Sequence, residues 1–175
     1  VCSSDLPREG NKHTRIIETE AGMINSIGLE NCGIDTFLKE KLPVLKSKHI
    51  DFIMNAAGST IDEYIELAKI CQNAEIKAVE LNVSCPNVKS GCLEFGTDEN
   101  SLYELVSLVR QEFKGFLIVK LTPNVTSIEK IGLAAQNAGA DAASAVNTVK
   151  GTAVKLNLIN GKFQKTVVTG GYSGR

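Results

Sequence analysis

The sequence predicts an α/β fold in which parallel strands alternate with helices, and three observations carry that prediction. From residue 51 onward, short apolar runs alternate with stretches of helical periodicity. Each apolar run carries a polar side chain near its C-terminal end: Asn55, Asn82, Lys120 and Asn147 in turn. No G-x-G-x-x-G follows any run. Successive strand–helix units imply parallel strands joined by right-handed crossovers, so the choice lies between an open doubly wound sheet and a closed barrel. Burying an amide or ammonium without a partner costs on the order of a few kcal/mol, so four in series are not accidents of packing. In a (β/α)8 TIM barrel all four ends converge on the face where sites of that fold are built. In an open sheet only those at the switch point would meet a ligand. The missing dinucleotide fingerprint also favours the barrel.

The elements follow in order. Residues 51–57 (DFIMNAA) form a short strand, and Thr60 with Glu63 has the form of a capping box opening a helix. Ile61, Tyr64, Ile65, Ala68 and Cys71 supply its apolar stripe. Residues 77–83 (KAVELNV) are the next strand, followed by a long polar loop with Gly91 and Gly96. Leu102, Leu105, Val106, Val109 and Phe113 then mark one face of a second helix. Residues 116–121 (FLIVKL) are a third strand. Thr126 and Glu129 suggest another capping box, Ile128, Ile131, Ala135 and Ala138 a third helical stripe, and Gly139 its stop. Residues 141–148 are the fourth strand, less apolar than the others. Residues 148–169 show no helical stripe; 152–158 and 162–169 read as a β-hairpin turning at Asn160-Gly161, inserted on the active-site face.

A complete barrel takes about 250 residues. This chain has 175, opens in a polar stretch and closes on GGYSGR. The expectation is an incomplete barrel over residues 8–175, lacking its first strand region and its last two βα units, with residues 1–7 unassigned.

With 19 Lys+Arg against 20 Asp+Glu, the net charge of -1 gives no footprint for nucleic acid or an anionic membrane. No apolar run approaches the roughly 18 residues of a spanning helix, which predicts a soluble, cytoplasmic protein. Five irregularly spaced cysteines without C-x-x-C make a poor disulfide framework and a poor zinc site; two histidines leave little for imidazole chemistry or metal ligation.

The densest chemical signal is ELNVSCPNVKSG at residues 80–91. Cys85 follows a strand end and precedes Pro86, Asn87 and a glycine-bearing loop, where a barrel places reactive groups. A thiol with an ordinary pKa near about 8.5 becomes a general base once its surroundings favour thiolate. Cys2, Cys32 and Cys71 read as structural, and Cys92 as a bystander.

This segment resembles the catalytic loop of dihydroorotate dehydrogenases. GMINSIGLEN at residues 22–31 resembles the family's substrate loop, NAAG at 55–58 the end of its next strand, and VKLTPN at 119–124 its flavin-lysine strand. VNT at 146–148 and TGGYSG at 169–174 match two more motifs in the family's order. The resemblance implies oxidation of dihydroorotate to orotate in pyrimidine biosynthesis, with Cys85 taking the C5 proton and hydride passing from C6 to FMN. It implies substrate binding by Asn25, Ser26, Ile27, Gly28, Leu29, Asn82, Asn87, Asn147 and Thr148, since a carboxamide offers both donors and an acceptor. It implies flavin contacts from Asn55, Asn82, Lys120, Val146 and Gly174, with Lys120 beside the flavin pyrimidine. Residues 86–97 resemble a lid.

The membrane-bound branch carries serine where Cys85 stands, so the soluble cysteine branch is the closer likeness. Val88-Lys89-Ser90-Gly91 is nearer the NAD-linked heteromeric type than the fumarate-using type. That implies a homodimer joined to a subunit carrying FAD and a 2Fe–2S cluster, with the 148–169 insertion as a contact surface. The family's upstream lysine and its phosphate-binding glycine loops have no counterpart here, so this stretch alone is expected to bind FMN weakly and turn over little substrate. Rival readings are a dihydropyrimidine dehydrogenase-like flavin barrel, a tRNA-dihydrouridine synthase and a catalytically incompetent barrel segment. The balanced charge speaks against the RNA enzyme, and residues 25–29 against the first rival.

Overall fold

The computed structural model describes residues 2–4, 6–83, 94–159 and 162–174. Five short strands lie side by side in a parallel sheet: β1 (Cys2–Ser3), β4 (Met54–Ala56), β5 (Ala78–Leu81), β6 (Phe116–Lys120) and β7 (Ala142–Ser144). Their spatial order follows the chain, so there is no switch point of the kind that defines a doubly wound sheet. Between them run α3 (Ile61–Asn73), α4 (Glu99–Glu112) and α5 (Ile128–Asn137), with α4 packed against both of its neighbours. Strands that advance in one direction beneath a single row of helices show the winding of a (β/α) barrel, here with β1 and β7 as edges.

Side-chain alternation explains this arrangement. Met54, Ala56, Val79, Leu81, Leu117 and Val119 are buried in the main core, along with Tyr64, Leu67 and Cys71 of α3 and Leu102, Leu105 and Val109 of α4. Ile131 and Ala135 of α5 complete that layer. The residues between them on the strands, Asn55, Glu80 and Lys120, are only half-buried and take the other face.

The helix starts are set locally. Thr60 Oγ1 accepts from Glu63 N at 3.2 Å, and Glu63 Oε2 accepts from Ser59 N at 2.5 Å, one residue before the position a capping box would use. At α5 the expected pair of Thr126 and Glu129 gives way to Ser127, whose Oγ accepts from Lys130 N. Gly139 ends α5 with φ 100°, and a Cβ there would meet the Arg110 side chain at 3.0 Å. Arg110 in turn pairs with Asp141 at 2.9 Å, while Asp141 accepts from Leu117 N at 2.7 Å, tying α4 to the start of β7.

Four features differ from the sequence reading. The stretch left unassigned supplies β1, whose Cys2 and Ser3 pair with Asn55 and Ala56. Residues 33–47 are helical, as α1 (Gly33–Thr36), a π-helical segment (Phe37–Lys41) and α2 (Leu42–Ser47). The π turn puts the buried Phe37 and Leu42 five residues apart, which breaks the 3.6-residue stripe that marks a helix in sequence. The fourth strand covers Ala142–Ser144 alone, although Asn147 N still donates to Leu121 O at 2.8 Å. Lastly, the predicted hairpin is longer and has partners. β8 (Val149–Ile159) and β9 (Lys162–Gly174) pair in the register Thr152 with Thr169 and Ile159 with Lys162. They join β2 (Ile16–Thr19) and β3 (Gly22–Asn25) in an antiparallel sheet of order β2-β3-β9-β8.

Candidate functional site

The second sheet leaves the chain just past β7, at the C-terminal ends of the parallel strands, and close backbone contact fixes it there. A Cβ on Gly171 would lie 1.9 Å from Thr148 Oγ1, and one on Gly170 would lie 2.2 Å from Asn25 O. Only glycine lets β9 pass so near both. Asn25 pairs with Gly171 and donates from Nδ2 to its carbonyl at 3.2 Å. Asn124 secures the other strand: it donates to Thr148 O at 3.1 Å and accepts from Lys150 N at 2.9 Å.

Beneath this sheet lies a polar cluster on the face turned from the helices. Sheet register aligns Asn55, Glu80, Ile118 and Ala142 in one row, with Lys120 and Ser144 in register two residues further on. Glu80 is the centre. It accepts from Asn55 Nδ2 at 2.5 Å and from Ser144 Oγ at 2.6 Å, and Lys120 Nζ lies 3.7 Å away. Asn82, 7% exposed, donates to Asn55 Oδ1 at 3.5 Å and accepts from Asn147 Nδ2 at 3.4 Å. Asn147 Oδ1 then accepts from Thr148 N at 2.8 Å. From behind, the buried Tyr64 hydroxyl donates to Asn82 O at 2.7 Å.

The structure therefore gathers Asn55, Asn82, Lys120, Asn147 and Thr148, and carries Asn25 to them through Gly171. Ser26, Ile27, Gly28 and Leu29 are held in a network of their own. Asn11 contacts Ser26 and Ile27, Asn31 donates to Leu29 O at 2.7 Å, and Gly28 and Leu29 both have positive φ. Val146 is half-exposed beyond β7, and Gly174 ends β9 opposite Gly22, three pairs along from Asn25. Cys85 and Asn87 lie outside the described residues. The chain on either side of them is pinned: Gly96 N donates to Val83 O at 3.1 Å, one residue beyond Asn82. The end of the expected lid is fixed as well, because Phe95 is buried edge-on against Tyr64 with ring centroids 5.9 Å apart.

Sequence reasoning missed Glu80, Ser144 and Asn124 as site residues. Glu80 had a signal, since it stands two residues before Asn82 on the same side of an otherwise apolar run. The cysteines read as structural divide: burial among Met54 and its neighbours pushes the Cys71 thiol from 9.0 up to about 12, and Cys32 is half-buried. Among the described residues no cluster of His, Cys, Asp and Glu could hold a metal, and no helix is long and apolar enough to cross a membrane. An open cleft of about 860 Å³ lies at the opposite ends of β4 and β5, lined by Leu45, His49, Phe52 and Lys77 among others. Its Lys77–Asp51 pair is almost wholly exposed, so it lacks the sheltered, convergent polar groups found at the carboxamide end.

The family model described as dihydroorotate dehydrogenase matches residues 2–175. A Geotalea uraniireducens protein named dihydroorotate dehydrogenase B (NAD(+)), catalytic subunit, is 48% identical over 169 residues, covering 96% of this chain and 55% of its own length. Proteins of the same name from Geotalea daltonii and Bacteroides thetaiotaomicron are 47% and 43% identical, over 96% and 95% of this chain and 55% of theirs. The chain thus spans about 55% of the length of these relatives. A match along nearly all of its residues, on a singly wound parallel sheet, means that the chain belongs to the dihydroorotate dehydrogenase family.

Proposed function

We propose that the protein oxidises (S)-dihydroorotate to orotate, a step of pyrimidine biosynthesis, as the catalytic subunit of an NAD-linked enzyme using FMN. The observation that carries this reading is the convergence of three carboxamides, Lys120 and Glu80 at the C-terminal ends of the parallel strands. A ring bearing imide groups and a carboxylate needs both donors and acceptors, and asparagine supplies both from one side chain. The residues present also fit a flavin: Lys120 brings a cation to the interior face, 32% exposed and held only loosely by Glu80 at 3.7 Å, while Asn55 and Asn82 add amides beside it. When bound, FMN supplies the acceptor for the hydride leaving C6.

The chain's own residues do the rest. Cys85 takes the C5 proton, so that loss of one proton and one hydride leaves a carbon–carbon double bond. Asn25, Asn82, Asn87, Asn147 and Thr148 orient the ring, and Val146 and Gly174 add flavin contacts. The names of the relatives support a second subunit, proposed here to carry FAD and a 2Fe–2S cluster as the route to NAD, alongside a homodimer of catalytic chains. The proposed contact surface for that subunit is the β8–β9 hairpin, where Val154, Leu156, Phe163 and Val167 project from one face and are more than half exposed.

The test is Cys85→Ala in the complete polypeptide. Orotate formation is expected to fall by about 10²-fold or more, the usual contribution of a positioned base, with flavin retained. Unchanged turnover would overturn the assignment.

A further inference from the structure

Lys120 and Glu80 stand on adjacent strands and on the same face of the parallel sheet. Register sets Glu80 of β5 opposite Ile118 of β6, so Lys120, two residues further on, is its diagonal neighbour. Lys120 Nζ comes to 3.7 Å from Glu80 Oε1, close enough for charge compensation and too far for a hydrogen bond. The ammonium therefore keeps its donors for a ligand while its charge is partly offset. The carboxylate is fixed from both flanks: Oε1 accepts from Asn55 Nδ2 on β4, and Oε2 from Ser144 Oγ on β7. At 32% and 18% exposure, Lys120 and Glu80 lie far deeper than the Lys77–Asp51 pair at 87% and 93%, so solvent screens them less. Among the described residues Glu80 is the one ion-pair partner of Lys120.

We propose that Glu80 is a positioning residue for Lys120, a fixed counter-ion that sets how much positive charge the site presents to a flavin, and so the flavin's reduction potential. This rests on the proposed function, in which Lys120 is the cation beside FMN. A hydride carries two electrons and one proton, so its transfer from C6 of dihydroorotate leaves the flavin ring with one added negative charge. An ammonium beside the ring favours that charge, and a carboxylate behind the ammonium offsets part of the advantage. Glu80 thus holds the potential down, which keeps the electrons taken from the substrate transferable to a further acceptor.

The experiment is the two-electron midpoint potential of FMN bound to the complete polypeptide, read against a reference dye. Glu80→Gln removes the charge and keeps the shape. It is expected to tighten reduced FMN relative to oxidised FMN about tenfold, the order of one unit charge acting across a protein interior. For a two-electron couple that is a rise of about 30 mV. Glu80→Asp keeps the charge but is too short to hold both Asn55 and Ser144, and its potential is expected to stay close to that of the parent. An equal rise in Glu80→Asp would mean that shape rather than charge matters, and would overturn the proposal. A potential that Glu80→Gln does not move would overturn it as well. Should Glu80→Gln fail to fold, Glu80→Ala removes the same charge with no amide to misplace, and the same rise is required of it. If the unaltered protein bound no FMN, the functional reading and this proposal would fall together. If it bound FMN at a potential indifferent to the charge at residue 80, the role of Glu80 alone would fall.

Discussion

The two sheets of this molecule are stabilised in different ways. The parallel sheet lies under α3, α4 and α5 with Tyr64, Phe37, Phe113, Leu102 and Leu105 fully buried around it. Among the described residues of β2, β3, β8 and β9, the buried side chains are Ile17 and Ile24, and neither belongs to the main core. That sheet is held by its backbone ladder and by the glycine contacts at Thr148 and Asn25. Its hairpin leaves Phe163 77% and Leu156 65% exposed. One sheet therefore supplies the stability that holds the carboxamides in place, and the other supplies surface.

Substitutions can break that comparison, and the largest effect belongs to the core. Leu105→Ala, at a wholly buried position, is expected to cost about 2–5 kcal/mol in denaturant unfolding. Leu156→Ser and Phe163→Ser should each stay within about 0.5 kcal/mol of the parent, because little is buried there to lose. Their effect is expected instead in a loss of association with the proposed second subunit by sedimentation. A hairpin variant that unfolded the protein would remove the distinction.

Tyr64→Phe probes the join between core and site. It leaves the carbonyl of Asn82 short of a buried donor, for an expected loss of about 1–3 kcal/mol in unfolding together with weaker orotate binding. Thr60→Ala removes the cap of α3 and should cost about 1 kcal/mol by thermal melting.

The remaining effects are pH-dependent. The backbone N–H of Leu117 and then Arg110 hold Asp141 below its usual range. Its stabilisation is therefore present above the ordinary carboxylate value and lost as pH falls through the lower folded one. Asp141→Asn should flatten that acid limb. Burial raises the Cys71 pKa, so its contribution is complete below 9.0 and is lost as pH rises toward about 12. Cys71→Ala should flatten the alkaline limb of the unfolding profile.

The sequence reading succeeded where periodicity and local chemistry coincide. The stripes of α3 and α4 and the polar ends Asn55, Asn82, Lys120 and Asn147 were legible because each strand has one buried face and one working face. The hairpin was legible from Asn160-Gly161 between two β-prone runs. Where pattern and structure part company, the sequence was silent. The π turn disrupts the helical stripe at residues 37–41, and β1 is two residues long. β3 owes its place to pairing with β9, well over a hundred residues away along the chain, and β2 pairs in turn with β3. Glu80 was passed over because its role lies in its partners: only register brings Asn55, Lys120 and Ser144 around it.

The central claim is that the carboxamide end of the parallel sheet receives orotate, and a crystal structure of the complete polypeptide with orotate tests it most directly. The expected result is a ring hydrogen-bonded to Asn82 and Asn147, with the sulfur of Cys85 within reach of C5. Orotate seated instead in the cleft by His49 and Phe52, or at the carboxamides with Cys85 turned away from the ring, would contradict the account.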